Sequence, residues 1–367
     1  SYLNSEKKFA SGIISGDVIA VNPSDKLGFV SDFKVVDLSL FENLIGTLAL
    51  NATAKSNEKY QLQLDLNGEK VDFKATGEIN QSTETPSYSF KANLNRLNLP
   101  LIGAFTSEYI ADSAGEISAT FNFNGTASNY NYDGNLNFKD AALRVKALNA
   151  MFLLGNEQID FDKQSIYFAD FRLKDEQQNA FVIDGTIKTE NIQNPKFQLT
   201  AKANNFEALN STIDDNDLYF GKVNFDADLQ ILGNLNFPRI EGELSTRKTT
   251  DVTYIMPLSQ AGTIEREGVV LFVNKKNPND IVTQPNEQLY NATISGIEVD
   301  VLLKINPATK VKIIINNKTG DNVRLVGGGD LRYKMARNGN MILQGKYEVK
   351  DGQLELNFYN LVKRQFT

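Results

Sequence analysis

The chain has 367 residues, 41% of them hydrophobic, with a net charge of −7 and a pI of about 5.0. It can bury a core, but its acidic balance excludes a general nucleic-acid binder, whose surface must attract phosphate. It has no Cys, His or Trp, which excludes disulfides, thiolate metal sites, cysteine nucleophiles and histidine bases, so no metal and no cofactor are expected.

Along the chain the dominant hydrophobic period is two. Tyr60, Leu62, Leu64 and Leu66 alternate with Gln61, Gln63 and Asp65. Phe90 sits in such a run at 88–94, and Phe121 and Phe123 sit in another at 116–123. Val223, Phe225, Leu229 and Ile231 alternate with Asn224, Asp226, Asp228 and Gln230. Each run predicts a strand with one apolar and one wet face, the mark of an antiparallel sheet. At Leu136 and Phe138 the apolar positions are even, and after Lys139-Asp140 they become odd. A β-bulge there would keep both halves facing one side.

Helix is scarce. One short helix is expected at 97–112, around Pro100 with Leu101, Phe105, Tyr109 and Ile110 at helical spacing. A second is expected at 204–216, with Phe206, Leu209 and Ile213 on one side. The two candidates fall in a repeat. Gly77, Pro86, Leu97, Gly115, Gly125 and Gly134 recur as Gly185, Pro195, Phe206, Gly221, Gly233 and Gly242, at offsets near 108. Stacked units of one pattern predict an extended object. The expected divisions are a partial repeat at 1–76, repeats at 77–184 and 185–249, and a C-terminal β-domain at 250–367 that includes a polar loop at 274–288.

The C-terminal part changes sign. Residues 304–367 carry 12 Lys and Arg against 5 Asp and Glu, which leaves the preceding residues at −14. The triple glycine at 327–329 predicts a bend or bulge, and Arg337-Asn338-Gly339-Asn340 a hairpin turn. A strand follows with Leu354, Leu356 and Phe358 on one side.

Motifs for chemistry fail on spacing. Gly339 to Gly345-Lys346 has five intervening residues where a phosphate-binding loop has four, and Tyr347 stands where Ser or Thr should hold magnesium. Asp214-Asp215-Asn216-Asp217 lacks the Gly and terminal Glu of a calcium loop. No enzyme is expected. What remains is the apolar face itself. Phe and aliphatic residues recur on one side of many strands, with few segments left to cover it. A sheet curled on itself would leave a continuous apolar channel.

The ending GGGDLRYKMARNGNMILQGKYEVKDGQLELNFYNLVKRQF resembles the C-terminal domain of the TamB family, the translocation and assembly module proteins of the AsmA-like, bridge-like lipid-transfer superfamily. The resemblance rests on the glycine-led strand at 327–331, the hairpin, then Gly345, Tyr347, Glu348, Val349 and Gly352, the alternating strand, and Lys363-Arg364-Gln365-Phe366. Upstream, G-x-L-x-F-K-D-A-x-L-R-V at 134–145 matches more loosely. The family pattern continues past Phe366 with strands rich in Gly, Trp and Asp. The resemblance implies an all-β fold, an elongated antiparallel β-groove (a taco-like, half-open β-solenoid) with a hydrophobic interior and one or two short helices. It implies a periplasmic location between an inner-membrane anchor outside these residues and an Omp85-type outer-membrane barrel, TamA or its relative TamL. It also implies phospholipid movement between the membranes, or help in outer-membrane protein assembly by β-augmentation. Under it, phospholipid acyl chains would line up on Leu62, Leu64, Leu66, Phe90, Phe121, Phe123, Leu136, Phe138, Val223, Phe225, Leu229, Ile231, Leu354, Leu356 and Phe358. Tyr359, Leu361, Lys363, Arg364 and Phe366 would form the outer-membrane end.

Overall fold

In the computed structural model the residues described are 10–21, 28–56, 58–82, 84–103, 105–256, 296–358 and 362–366. The expected polar loop at 274–288, and Tyr359 and Leu361, lie outside them. The described residues form one sheet of 21 strands and one five-residue helix. The first strands are β1 (Ala10–Val21), β2 (Gly28–Leu40), β3 (Asn43–Ser56), β4 (Lys59–Asn67), β5 (Val71–Asn80) and β6 (Ser87–Asn98). Helix α1 (Leu99–Gly103) leads to β7 (Ile110–Thr126), β8 (Tyr130–Val145), β9 (Ala150–Gly155), β10 (Gln158–Asp162) and β11 (Ser165–Lys174). Then come β12 (Ala180–Lys188), β13 (Lys196–Ser211), β14 (Tyr219–Asn234), β15 (Phe237–Thr246) and β16 (Asp251–Ile255). The last are β17 (Glu298–Ile305), β18 (Lys310–Asn316), β19 (Asp321–Met335), β20 (Met341–Phe358) and β21 (Val362–Phe366).

Each strand pairs antiparallel with its sequence neighbour through most of the sheet, as the period-two runs require. Three ranks hold two short strands end to end: β9 and β10 beside β8, β15 and β16 beside β14, and β17 and β18 beside β19. Where the second and third of these ranks meet, β15 runs parallel to β17 and β16 parallel to β18. Among the described pairings these are the only parallel ones.

Register puts the apolar positions of successive strands opposite one another. Leu62 faces Gly77, Gly77 faces Phe90, Phe90 faces Phe123 and Phe123 faces Tyr132. Further along, Leu199 faces Ile231, Ile231 faces Ile240 and Ile240 faces Val299. Val301 then faces Tyr333, and Tyr333 faces Leu343. Since opposed residues share a face, one apolar row crosses the sheet from β1 to β20.

The bulge expected at Lys139-Asp140 is present, where Ala114 faces Ala142 but Glu116 faces Lys139. It is one of a series. Asp37, Asp140, Asp170 and Asn205 sit at bulges of β2, β8, β11 and β13 with φ of 54°, 50°, 51° and 51°. Asp and Asn tolerate this left-handed region better than other side chains. A bulge leaves an amide without its ladder partner, and neighbouring side chains supply one. Asn156 Oδ1 accepts from the Asp140 N–H (3.3 Å), Asp184 Oδ2 from Asp170 (3.1 Å) and Asp226 Oδ1 from Asn205 (2.7 Å). Each bulge bends its strand and keeps the apolar set on one face.

The second expected helix, at 204–216, is not formed. β13 runs on to Ser211 and a turn follows. Two bulges explain the misleading spacing. Ala203, Phe206 and Leu209 face Ala227, Phe225 and Val223, so β13 spends three residues where β14 spends two. Two extra residues in one strand thus imitate a helical period. The first expected helix is shorter than 97–112: α1 covers five residues, and β7 starts at Ile110. At the C-terminal end the Asn-Gly hairpin is present, with Met335 facing Met341 and Gly339 at φ 83°. The triple glycine lies at a bulge, as expected: the register between β19 and β20 shifts between Val326 and Gly327. It lies inside β19, the bulge falls on the facing strand at Lys350, and a Cβ on any of the three would strike neighbouring backbone.

Candidate functional site: the apolar face

The face divides into a packed end and an open end. At the packed end α1 lies on the sheet. Leu99 joins Ala141, Leu154 and Phe171 in a buried cluster supported by Ile117, Phe138, Phe168 and Ile183. Leu101, two residues on and so on the other side of the helix, joins Ile45 and Val71, with Leu38, Leu66 and Leu94 against them. Phe41 and Phe105 meet edge to face at 5.2 Å beside it. Further along the sheet Phe206 is buried as well, stacked on Phe152 at 5.8 Å and packed on Phe181 and Phe225. Asp175, 1% exposed, fixes this region. It accepts from the Asn179 backbone (2.8 Å) and side-chain amide (2.9 Å) and from the Glu207 N–H (2.9 Å), tying the β11–β12 turn to the bulged end of β13. Hydrogen bonds to its charged form offset the cost of burying the carboxylate.

Toward the other end of the same strands the face is uncovered. Phe121 and Leu62 are each 37% exposed. No second layer of strands packs there among the described residues, whose main contacts are with sheet neighbours. An aromatic ladder runs across it: Phe90 to Phe123 at 6.0 Å, Phe123 to Tyr130 at 5.6 Å, Tyr130 to Tyr132 at 6.4 Å, and Phe121 to Phe161 at 6.3 Å. Glycines seat the rings. A Cβ at Gly77 would lie 2.6 Å from Phe90, and one at Gly134 would lie 2.6 Å from Phe161. Rings set over glycine lie flat on the sheet and stabilise it without filling the space above. The ladder leads into a cavity of about 470 Å³ lined by Tyr132, Phe161, Ile166, Ile187, Phe197 and Leu235, among others.

The sequence-predicted lining residues therefore part company. Leu62, Leu64, Phe90, Phe121, Phe123, Leu136, Leu229 and Ile231 belong to the row on the uncovered strip or its margin. Leu66, Phe138 and Phe225 pack in the filled clusters, and Val223 faces the buried Leu209. Leu354 and Leu356 continue the row on β20, and Phe358 pairs with Val362. Of the terminal residues, Lys363 pairs with Asn357 and Arg364 with Leu356. Phe366 faces Leu354 and is exposed. The edge of β20 at 354–358 is taken by β21, and its described edge without a neighbour is 341–353. Tyr132, Phe161, Ile166, Ile187 and Phe197 went unremarked in the sequence. The alternation of Tyr130, Tyr132, Gly134 and Leu136 was the available signal.

The opposite face is polar and cross-linked by ion pairs. Arg332 meets Asp300 through two contacts (2.6 and 2.9 Å), and Lys334 reaches the same carboxylate at 3.4 Å. The hydrogen bond from Arg332 holds the Asp300 carboxyl below the usual aspartate range. At the turn below the cavity, burial would raise the Asp162 carboxyl. The Gln164 and Ser165 amides and the Tyr167 hydroxyl outweigh burial and lower it. Burial pushes the Tyr347 hydroxyl up.

No helix of the described residues is long and apolar enough to cross a membrane. Neither the curated proteins nor the solved structures give a match to the chain. The family model for the TamB C-terminal domain matches residues 169–367, which is β11 to the end of the chain with part of β11 itself. That model covers more than half of the chain and includes the glycine-led hairpin. The chain belongs to the TamB family, a periplasmic, envelope-associated family of non-enzymatic transport and assembly modules.

Proposed function

We propose that the uncovered apolar strip is the floor of a groove that conducts phospholipids between the inner and outer membranes, docked at its C-terminal end on an Omp85-type barrel. The observation that carries this reading is an unbroken apolar row across the sheet, with aromatic side chains left open on it. An acyl chain of about 16 carbons in water costs on the order of 12 kcal/mol, at roughly 0.8 kcal/mol per CH₂. A continuous apolar surface removes most of that barrier at every step, and no catalytic group is needed. Headgroups would stay at the solvent side, where no desolvation is asked of them.

The test is transfer of phospholipid between donor and acceptor vesicles by the purified chain, with Phe121→Glu and Phe123→Glu as variants. Both should fold, because their rings are not buried, and both should abolish transfer. Unchanged transfer in the two variants, or the absence of any copurifying phospholipid by native mass spectrometry, overturns the reading. A second reading, a scaffold that guides outer-membrane strands by β-augmentation, is favoured by the free edge of β20 at 341–353.

A further inference from the structure

The parallel pairing of β15–β16 with β17–β18 sets where the chain between them must travel. It leaves the sheet at Met256, whose N–H donates to the Ile314 carbonyl (2.9 Å), and returns at Gly296, whose N–H donates to the Arg337 carbonyl (2.8 Å). These points stand at opposite borders of the sheet, because β15 runs parallel to β17 and β16 to β18. The flanking strand β14 has 16 residues, so the crossing is about 50 Å at roughly 3.3 Å per residue. Residues 257–295 reach about 130 Å when extended, ample for it.

Which face they cross follows from chirality. The Arg247 N–H donates to the Asn224 carbonyl (2.9 Å), in register with the ladder that pairs Thr246 with Phe225. Along a strand, backbone groups turn alternately to the two neighbours. Ser245, Glu243 and Glu241 therefore turn theirs to β14, while Leu244, Gly242 and Ile240 turn theirs to β17. In a strand running upward, an L-residue whose side chain points at the viewer has its N–H and C=O on the right. Ile240 belongs to the apolar row, and Leu244 shares its face. Seen from the apolar face with β15 upward, β17 thus lies to the right. Connections between parallel strands of one sheet are right-handed in about 98% of cases, through the twist of the strands. With β17 on the right, the connection is right-handed when it passes over the apolar face and left-handed when it passes over the polar one.

The two faces also differ in what they offer. On the polar face β15, β17 and β19 are joined by ion pairs, Lys304 to Glu243 (2.6 Å), Arg332 to Asp300 (2.6 Å) and Lys334 to the same carboxylate (3.4 Å). Covering them would strip water from charges. On the apolar face Tyr254, Met341 and Leu343 are 38%, 68% and 58% exposed. Among the described residues neither buried cluster includes a member of β15 to β20. The Tyr347 hydroxyl, on that face beside Gly327, is buried with no hydrogen-bond partner among the described residues. A crossing backbone can supply one. Val269, Val270, Leu271, Phe272 and Val273 follow one another without a polar residue, between Glu267-Gly268 and Asn274-Lys275. Such a run has no polar side to turn outward and gains from burial.

We infer that residues 257–295 dock on the apolar face over β15 to β20, with the 269–273 run supplying the apolar contact. The inference does not use the conduit reading and adds to it: over these strands a hydrocarbon chain would meet residues 257–295 as well as the sheet.

The test places the photoreactive residue benzoylphenylalanine at one position at a time in the whole chain. Tyr254→benzoylphenylalanine and Tyr333→benzoylphenylalanine lie on the apolar face, Glu243→benzoylphenylalanine and Lys334→benzoylphenylalanine on the polar face. The tyrosine positions keep an aromatic ring, and Glu243 and Lys334 are not buried. Adducts are located by mass spectrometry. Those on residues 257–295 should form from the two tyrosine positions at least about tenfold more than from the two charged positions, a ratio equal to 1.4 kcal/mol of preference. Mixing isotope-labelled and unlabelled chains should show them within single chains. Adducts that favour the charged positions, form equally from both faces, join two copies or fail to form overturn the inference. Phospholipid transfer and its loss in Phe121→Glu and Phe123→Glu are read separately, so either reading can fail alone.

Discussion

Ala141, Leu154 and Phe171, beside α1, are at most 8% exposed. Phe121 and Leu62, on the same face of the same sheet, are each 37% exposed. Both sets come from the same period-two alternation, and no local sequence property separates them. The difference is made by α1, a five-residue helix that supplies Leu99 and Leu101 to two clusters at once. Where a segment lies over the face, aromatic residues become a core. Where none does, they are held in place by glycines beneath and by one another. The comparison shows that alternation decides which face is apolar, while short connecting segments decide which part of it is filled.

Substitutions can sharpen or break that contrast. The largest effect is expected from Phe171→Ala in the packed end. It should cost about 3–5 kcal/mol, through lost burial and the cavity left behind, measured by urea unfolding, with lipid transfer per folded molecule unchanged. If transfer falls in step with stability, the two ends are not separable. Gly77→Ala is next. Its Cβ would meet the Phe90 ring at 2.6 Å, and the displaced ring should cost about 1–3 kcal/mol. Unlike Phe171→Ala, it should slow vesicle-to-vesicle transfer, because the ring can only move into the open strip. A stability loss with normal transfer would mean that the space over Gly77 is not used. The smallest effect is Asp300→Asn on the polar face. The Asp300 carboxyl is held low by Arg332 in the fold, so its contribution is present above the unfolded aspartate pKa and fades as pH falls through the folded one. The variant should lose little at neutral pH, because the pair is screened by solvent. It should show a shallower stability decline on acidification, read from urea midpoints across the acid range.

Much of this architecture was legible in the chain. The strands, the antiparallel class, the Asn-Gly hairpin and the bulge at Asp140 follow from periodicity and turn chemistry, which are local. The second helix was misread because paired bulges in β13 put Phe206 and Leu209 three residues apart, and only the pairing with β14 reveals that spacing as strand. The packed role of Phe138 and Phe225 was hidden for a related reason. Phe138 is covered by Leu99 from a separate segment, and Phe225 meets Phe206 only through the bulged register of β13. Asp175 gave no signal, since a buried carboxylate is recognised by its donors and these come from Asn179 and Glu207.

The seam between β15–β16 and β17–β18 has a kinetic consequence. Elsewhere a strand meets its partner across a short connection, so the sheet can grow hairpin by hairpin, closing small loops at little entropic cost. At the seam Ile255 and Glu298 stand at opposite borders of the sheet, and Arg239 must find Glu298 before the parallel ladder can form. Contacts of such long sequence separation are slow to form. Two halves, β1–β16 and β17–β21, should zip independently and join last. A slow refolding phase that reports only on the seam would be its signature.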